Sequence, residues 1–162
     1  MYDPTGKAVA SSGSSAGVAG VSVAALDTGT YTVVVADASG SLASTGAYNL
    51  YFTIAPGANR GGELSSGDVI QGQIDEGELD SYTFSAQAGN GVALSATATT
   101  GALVPALIVY DPTGAETASG GASVGFTVLK PGTYTVVVTD SSGGLASTGA
   151  YNLSLTLTPA PN

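Results

Sequence analysis

The sequence has no histidine, no cysteine and no tryptophan, and its only cations are Lys7, Arg60 and Lys130. Each absence closes a class of function. Without cysteine there are no disulfides and no thiolate metal sites. Without histidine, a serine or threonine nucleophile lacks its usual base. A Ser–Lys arrangement would need Lys7 or Lys130, and Lys130 precedes Pro131-Gly132 in a turn, a poor place for a desolvated base. Paired carboxylates can cleave glycosides, but the acids here lack the aromatic platform of a sugar subsite. No catalytic activity is expected. Three scattered cations and a net charge of −9 exclude a nucleic-acid interface, which needs clustered lysine or arginine. The same balance speaks against anionic membrane surfaces. No apolar run approaches the roughly 20 residues of a membrane helix, so no membrane insertion is expected. Met1-Tyr2-Asp3 lacks the basic start and apolar stretch of a signal peptide.

What is present is small, β-branched and repetitive. Apolar residues make up 43% of the 162 and glycine contributes 24. Residues 29–56 and 132–159 are two copies of one segment, identical at 21 of 28 positions. Upstream, Tyr2-Asp3-Pro4-Thr5-Gly6 recurs as Tyr110-Asp111-Pro112-Thr113-Gly114. The offset is 108 at the first motif and 103 at the second. No second copy of residues 57–109 exists, so the chain holds two C-terminal halves of a unit and one N-terminal half.

The pattern is that of strands. No stretch keeps helical apolar spacing over three turns. Tyr31-Thr32-Val33-Val34-Val35 and Tyr134-Thr135-Val136-Val137-Val138 are β-branched runs bounded by glycine and Asp/Ser/Gly clusters. In the second copy Tyr151, Leu153, Leu155 and Leu157 alternate with Asn152, Ser154 and Thr156, which predicts one buried and one open face. Residues 55–62 read as a linker. Further strands are predicted over 67–74, 79–86, 92–98 and 106–110. Asn90-Gly91 predicts a tight hairpin. The expected fold is all-β: an antiparallel, jelly-roll-like β-sandwich over 57–162, preceded by a half-domain of about four strands over 1–56.

The signals in 61–159 resemble those of the bacterial pre-peptidase C-terminal domain family. They are Gly72-Gln73-Ile74-Asp75, Leu79-Asp80-Ser81-Tyr82-Thr83-Phe84, Ala88-Gly89-Asn90-Gly91-Val92-Ala93-Leu94-Ser95, Tyr110 to Gly114, Gly132 to Val138 and Tyr151 to Leu155. Residues 2–56 match only the second half. The resemblance implies a jelly-roll-like sandwich of about 100 residues, carried by secreted hydrolases or arrayed in surface proteins, with some relatives binding calcium or polymers such as collagen. Ser81 follows Asp80 where the family often has tryptophan, which separates this chain from an aromatic binding role.

Two sets of site residues are worth naming. Asp75, Glu76, Glu78 and Asp80 form an acidic, glycine-bearing run able to offer oxygens to calcium, the one cofactor the sequence suggests. The plainer reading, which the sequence favours, is a solvated loop. Tyr51 and Phe52 replace Ser154 and Leu155 of the second copy, so they are candidates for an interface made only by the first half. Asp3, Asp111, Asp37 and Asp140 read as turn formers. The paired tyrosines Tyr2/Tyr110, Tyr31/Tyr134 and Tyr48/Tyr151 read as core aromatics.

A bare half-sandwich is not tolerable in water. Its cover is an upstream segment of a longer tandem array, a neighbouring chain, or the single N-terminal half shared by both C-terminal halves. Exchange between chains leaves one C-terminal half per chain over. The expected function is a non-enzymatic structural or assembly module, extracellular or on a bacterial-type cell surface: an array, adhesin stalk or filament subunit joined by strand complementation. Its expected partners are itself or neighbouring repeats. The alternative is a calcium- and polymer-binding accessory domain of a secreted hydrolase.

Overall fold

The computed structural model describes residues 1–13, 17–24, 27–57, 61–142 and 145–161. Residues 58–60 of the expected linker, Arg60 among them, lie outside the described residues. The chain forms two compact units, Met1–Leu50 and Tyr51–Asn162. Among the described residues no helix is long and apolar enough to cross a membrane.

Among the described residues the second unit carries nine strands: β1 Gly62–Glu63, β2 Val69–Ile74, β3 Asp80–Ala86, β4 Gly91–Ala98, β5 Pro105–Tyr110, β6 Glu116–Gly120, β7 Ser123–Thr127, β8 Gly132–Asp140 and β9 Gly149–Thr158. They make a five-stranded sheet, β1-β3-β8-β5-β6, and a four-stranded sheet, β2-β9-β4-β7. The antiparallel pairs are nested: β2 with β9, β3 with β8, β4 with β7 and β5 with β6. That nesting is a jelly roll. β1 is an added edge, parallel to β3.

Apart from the β1 edge, strands up to Tyr110 alternate within each sheet with strands after it. β8 lies between β3 and β5, and β9 lies between β2 and β4. No two of β6, β7, β8 and β9 are hydrogen-bonded neighbours. The C-terminal half therefore owns no ladder of its own.

The predicted hairpin at Asn90-Gly91 is not one. β3 and β4 belong to different sheets, and the chain crosses between layers there. The Asn90 N–H donates to the Gln87 carbonyl at 3.1 Å, and Gly89, not Asn90, takes positive φ (+86°). Glycine at the third position is what a type II turn requires. Turn chemistry marks the bend but does not say which sheet the chain enters next.

The core lies between the sheets. β9 contributes Tyr151, Leu153 and Leu155, β8 contributes Tyr134, Val136 and Val138, and β3 contributes Tyr82 and Phe84. Phe84 and Tyr134 stack with ring centroids 5.3 Å apart. Two glycines admit rings. A Cβ on Gly72 of β2 would stand 2.4 Å from the Tyr151 ring, and one on Gly61 would stand 2.2 Å from Tyr82. The opposite face of β3 and β8 is also buried at Ser81, Thr83, Thr135 and Thr139. Residues 51–57 lie against it: the Gly57 N–H donates to Thr135 Oγ1 at 3.0 Å, and exposure alternates along the segment.

Among its described residues the first unit contains turns without ladders: bridges join Tyr2 to Thr32 and Tyr2 to Ala8, and no strand forms. The roughly four strands expected over 1–56 are not formed among the described residues, which carry isolated bridges and turns instead. The reason is the alternation above: copies of β8 and β9 need strands of the β2–β5 type, and residues 1–50 include none of these beyond Tyr2.

Gly72→Ala is expected to destabilise the second unit by about 1–3 kcal/mol, the usual cost of overpacking. Chemical denaturation of the two proteins measures it, and an unchanged midpoint would remove the ring-over-glycine packing as a constraint.

Candidate interaction surface

The two C-terminal halves can be compared residue by residue because their turns close identically. Asp111 Oδ1 accepts from the Thr113 N–H (2.8 Å) and hydroxyl (2.5 Å) and from the Ala115 N–H (3.1 Å). Asp3 Oδ1 accepts from the Thr5 N–H (2.9 Å), the Thr5 hydroxyl (2.7 Å) and the Lys7 N–H (2.9 Å). Asp140 takes the Ser142 and Ser147 N–H groups and the Ser142 hydroxyl. Asp37 takes the corresponding groups of Ser39 and Ser44. Leu145 and Leu42, inside those loops, share positive φ (+53° and +51°). The Tyr134 hydroxyl donates to the Lys130 carbonyl, and the Tyr31 hydroxyl to that of Asp27, its counterpart. Even the isolated bridge keeps register, since Tyr2–Thr32 is the counterpart of Tyr110–Thr135.

What differs is burial. Tyr151, Leu153 and Leu155 are 0%, 0% and 1% exposed, and their counterparts Tyr48, Leu50 and Phe52 are 67%, 61% and 67% exposed. Ile54, the counterpart of half-buried Leu157, is exposed as well. Val33, Val34 and Val35, standing where Val136, Val137 and Val138 are buried, are open to solvent. The reading of Tyr2 and Tyr48 as core aromatics is therefore corrected. Tyr151 is buried in a strand flanked by β2 and β4, which residues 1–50 do not include, and Tyr110 is itself only half-buried. Each large apolar side chain left in water forgoes roughly 1.5–3 kcal/mol of burial.

Of the two interface candidates, Tyr51 is partly buried near Gly77, whose Cβ would lie 3.8 Å from its ring, and Phe52 points to solvent. Along 51–57 the side corresponding to the outer face of β9 is turned inward and the core-type side outward.

The acidic run does not converge. Among the described residues no three carboxylates stand close enough to hold a metal. The Asp75 N–H donates to Glu78 Oε2 at 2.9 Å, and the Glu78 N–H to the Asp75 carbonyl at 3.0 Å, closing a turn around Gly77. Asp80 turns inward instead. Tyr151 donates to Asp80 Oδ2 at 2.7 Å, which leaves the Tyr151 oxygen to accept from the Tyr82 hydroxyl at 2.7 Å. This chain ties β3 of one sheet to β9 of the other. Burial, then the bonds to Tyr82 and Asp80, push the Tyr151 hydroxyl far above the ordinary phenol range. A buried relay of this kind is structural glue rather than a proton donor at neutral pH.

No family model matches the chain, and no curated protein matches it. Solved structures do. Aeromonas hydrophila PliG, a periplasmic lysozyme inhibitor of g-type lysozyme, is 14% identical over 67% of this chain and 95% of its own, with a TM-score of 0.50. The pre-peptidase C-terminal domain of Bacillus anthracis collagenase is 21% identical over 58% of this chain and 92% of its own, at 0.48. Salmonella Typhimurium PliG is 16% identical over 59% and 96%, at 0.48. Likeness at these identities is likeness of fold: a β-sandwich. The motif resemblance to the pre-peptidase C-terminal family stands at that level.

A bare apolar face was expected from the sequence, but the repeat led Tyr2 and Tyr48 to be read as core aromatics by equivalence with their twins. The signal that finds the exposed row is the count of halves combined with jelly-roll pairing.

Two measurements test this geometry. The Lys130 ammonium, 2.6 Å from Asp111, together with the Thr113 donors holds the Asp111 carboxyl well below its ordinary value of 3.8. Asp140 is also lowered: burial opposes ionisation there, but the Ser142, Ser147 and Val104 donors outweigh it. Lowered folded-state values mean that unfolding takes up protons. The stability these groups give is complete above about pH 4 and is lost as pH falls below it. Thermal melts from neutral to acid pH should show a steep fall in that window, shallower in Asp111→Asn; equal slopes would refute the assignment. Melting in calcium and in chelator should agree within about 1 °C, and a calcium-dependent rise would restore the acidic loop as a metal site.

Proposed function

We propose that this chain is a non-enzymatic β-sandwich module of an extracellular or cell-surface assembly of bacterial type, joined to its neighbours by strand complementation. The observation that carries the reading is the exposure of Val33–Val35, Tyr48 and Leu50, residues whose twins form the core of the second copy. A core-quality surface with unpaired backbone is an adhesive, because burying it and satisfying its N–H and C=O groups favour the same partner. The composition supports the negative half of the reading: with no histidine or cysteine and few cations, the chain has little with which to catalyse. PliG is by name an inhibitor of another protein, a use of such a sandwich for binding, and it is named as periplasmic.

Repeated copies of one module joined by a contact that does not close on itself give an extended array. Light scattering coupled to size exclusion should show mass rising with concentration. Val34→Lys with Leu50→Arg should bring the chain back toward a monomer while leaving the melting of the second unit unchanged. A strict monomer at all concentrations, in the unaltered protein, would sink the assembly reading.

A further inference from the structure

We propose that the strand completing the first copy is a β2-type strand from another copy of the repeat, paired with residues 46–50 so that its Gly72 equivalent faces Tyr48. The inference rests on the complementation reading and names the partner within it.

The argument is one of register. In the second unit β2 pairs with β9 so that Ile70 faces Leu153, Gln71 faces Asn152, Gly72 faces Tyr151, Gln73 faces Ala150 and Ile74 faces Gly149. The five β9 residues Gly149 to Leu153 recur without change as Gly46, Ala47, Tyr48, Asn49 and Leu50. Transposed, Ile70 faces Leu50, Gly72 faces Tyr48 and Ile74 faces Gly46. The steric term is severe at one place: the Tyr151 ring occupies the space a Cβ on Gly72 would take, at 2.4 Å. The same ring in the same five-residue sequence, once paired as a strand, asks for glycine opposite Tyr48. On either side, Ile70 packs against the core and Ile74 is fully buried in the existing pair, so Ile-x-Gly-x-Ile is the pattern that fits.

Two strands flank β9, and β2 is the better donor. β4 is held by β9 and β7 together, whereas β2 ends its sheet and pairs with β9 alone. A strand with one neighbour is the one released and offered most readily. β4 also sets Ala98 against Tyr151, which makes no comparable demand for glycine.

The test uses the full chain and a fluorescent peptide with the sequence of residues 66–75, read by anisotropy. The peptide should bind. The same peptide carrying Gly72→Val should bind at least about tenfold more weakly. The full chain carrying Leu50→Arg should lose affinity for the unmodified peptide by a similar factor, while Leu153 stays native so that the second sandwich folds normally. Equal binding of the two peptides overturns the register. Undiminished binding by Leu50→Arg overturns the location, because it means that the peptide has displaced β2 from β9. If the peptide does not bind but the chain still self-associates through Val34 and Leu50, this inference fails and the assembly function stands. If neither occurs, both fail.

Discussion

Every long ladder in this molecule joins an early strand to a late one, and the rest of the structure follows from that constraint. The jelly roll places β8 between β3 and β5 and β9 between β2 and β4, so neither half of the unit holds two adjacent strands apart from the β1–β3 edge pair. A half is then not a smaller sandwich. It is a set of strands spaced to receive another set. The described residues among the first 50 show the result: turns are closed, the register at Tyr2–Thr32 matches that of Tyr110–Thr135, and no sheet has formed.

The two copies separate local from non-local contributions within one sequence. Capping aspartates, hydroxyl donors and a left-handed leucine build the same loops in both places, because each needs only residues within seven positions. Strands do not repeat, because a ladder needs N–H and C=O groups supplied from far along the chain. Identical side chains therefore end fully buried in one copy and in water in the other.

This division also sets what was legible in advance. β5, β8 and β9 could be placed from β-branched runs and alternation, since Leu107, Val136 and Leu153 fall on a period of two. The aspartate turns were legible from Asp-Pro-Thr-Gly alone. The Asn90-Gly91 bend was found, but its destination was not, since a turn carries no information about which layer follows. The acidic run was visible, yet Asp80 serves Tyr151 across the sandwich, 71 positions away, a partner that local spacing cannot suggest. A bare face on the first copy was legible from the count of halves, but the repeat hid that Tyr48 belongs to it, because an identical residue invites an identical role.

The closed turns of the first copy bear on how it is completed. The Tyr2–Thr32 bridge already brings together residues 30 positions apart, so the chain entropy of that loop closure is spent before any partner arrives. Under the proposed complementation, an incoming strand would meet a half whose Tyr2–Thr32 loop is already closed. Preorganisation of this sort raises affinity without adding a single contact. The bridge, energetically small, would thus lower the ordering cost of the proposed complementation.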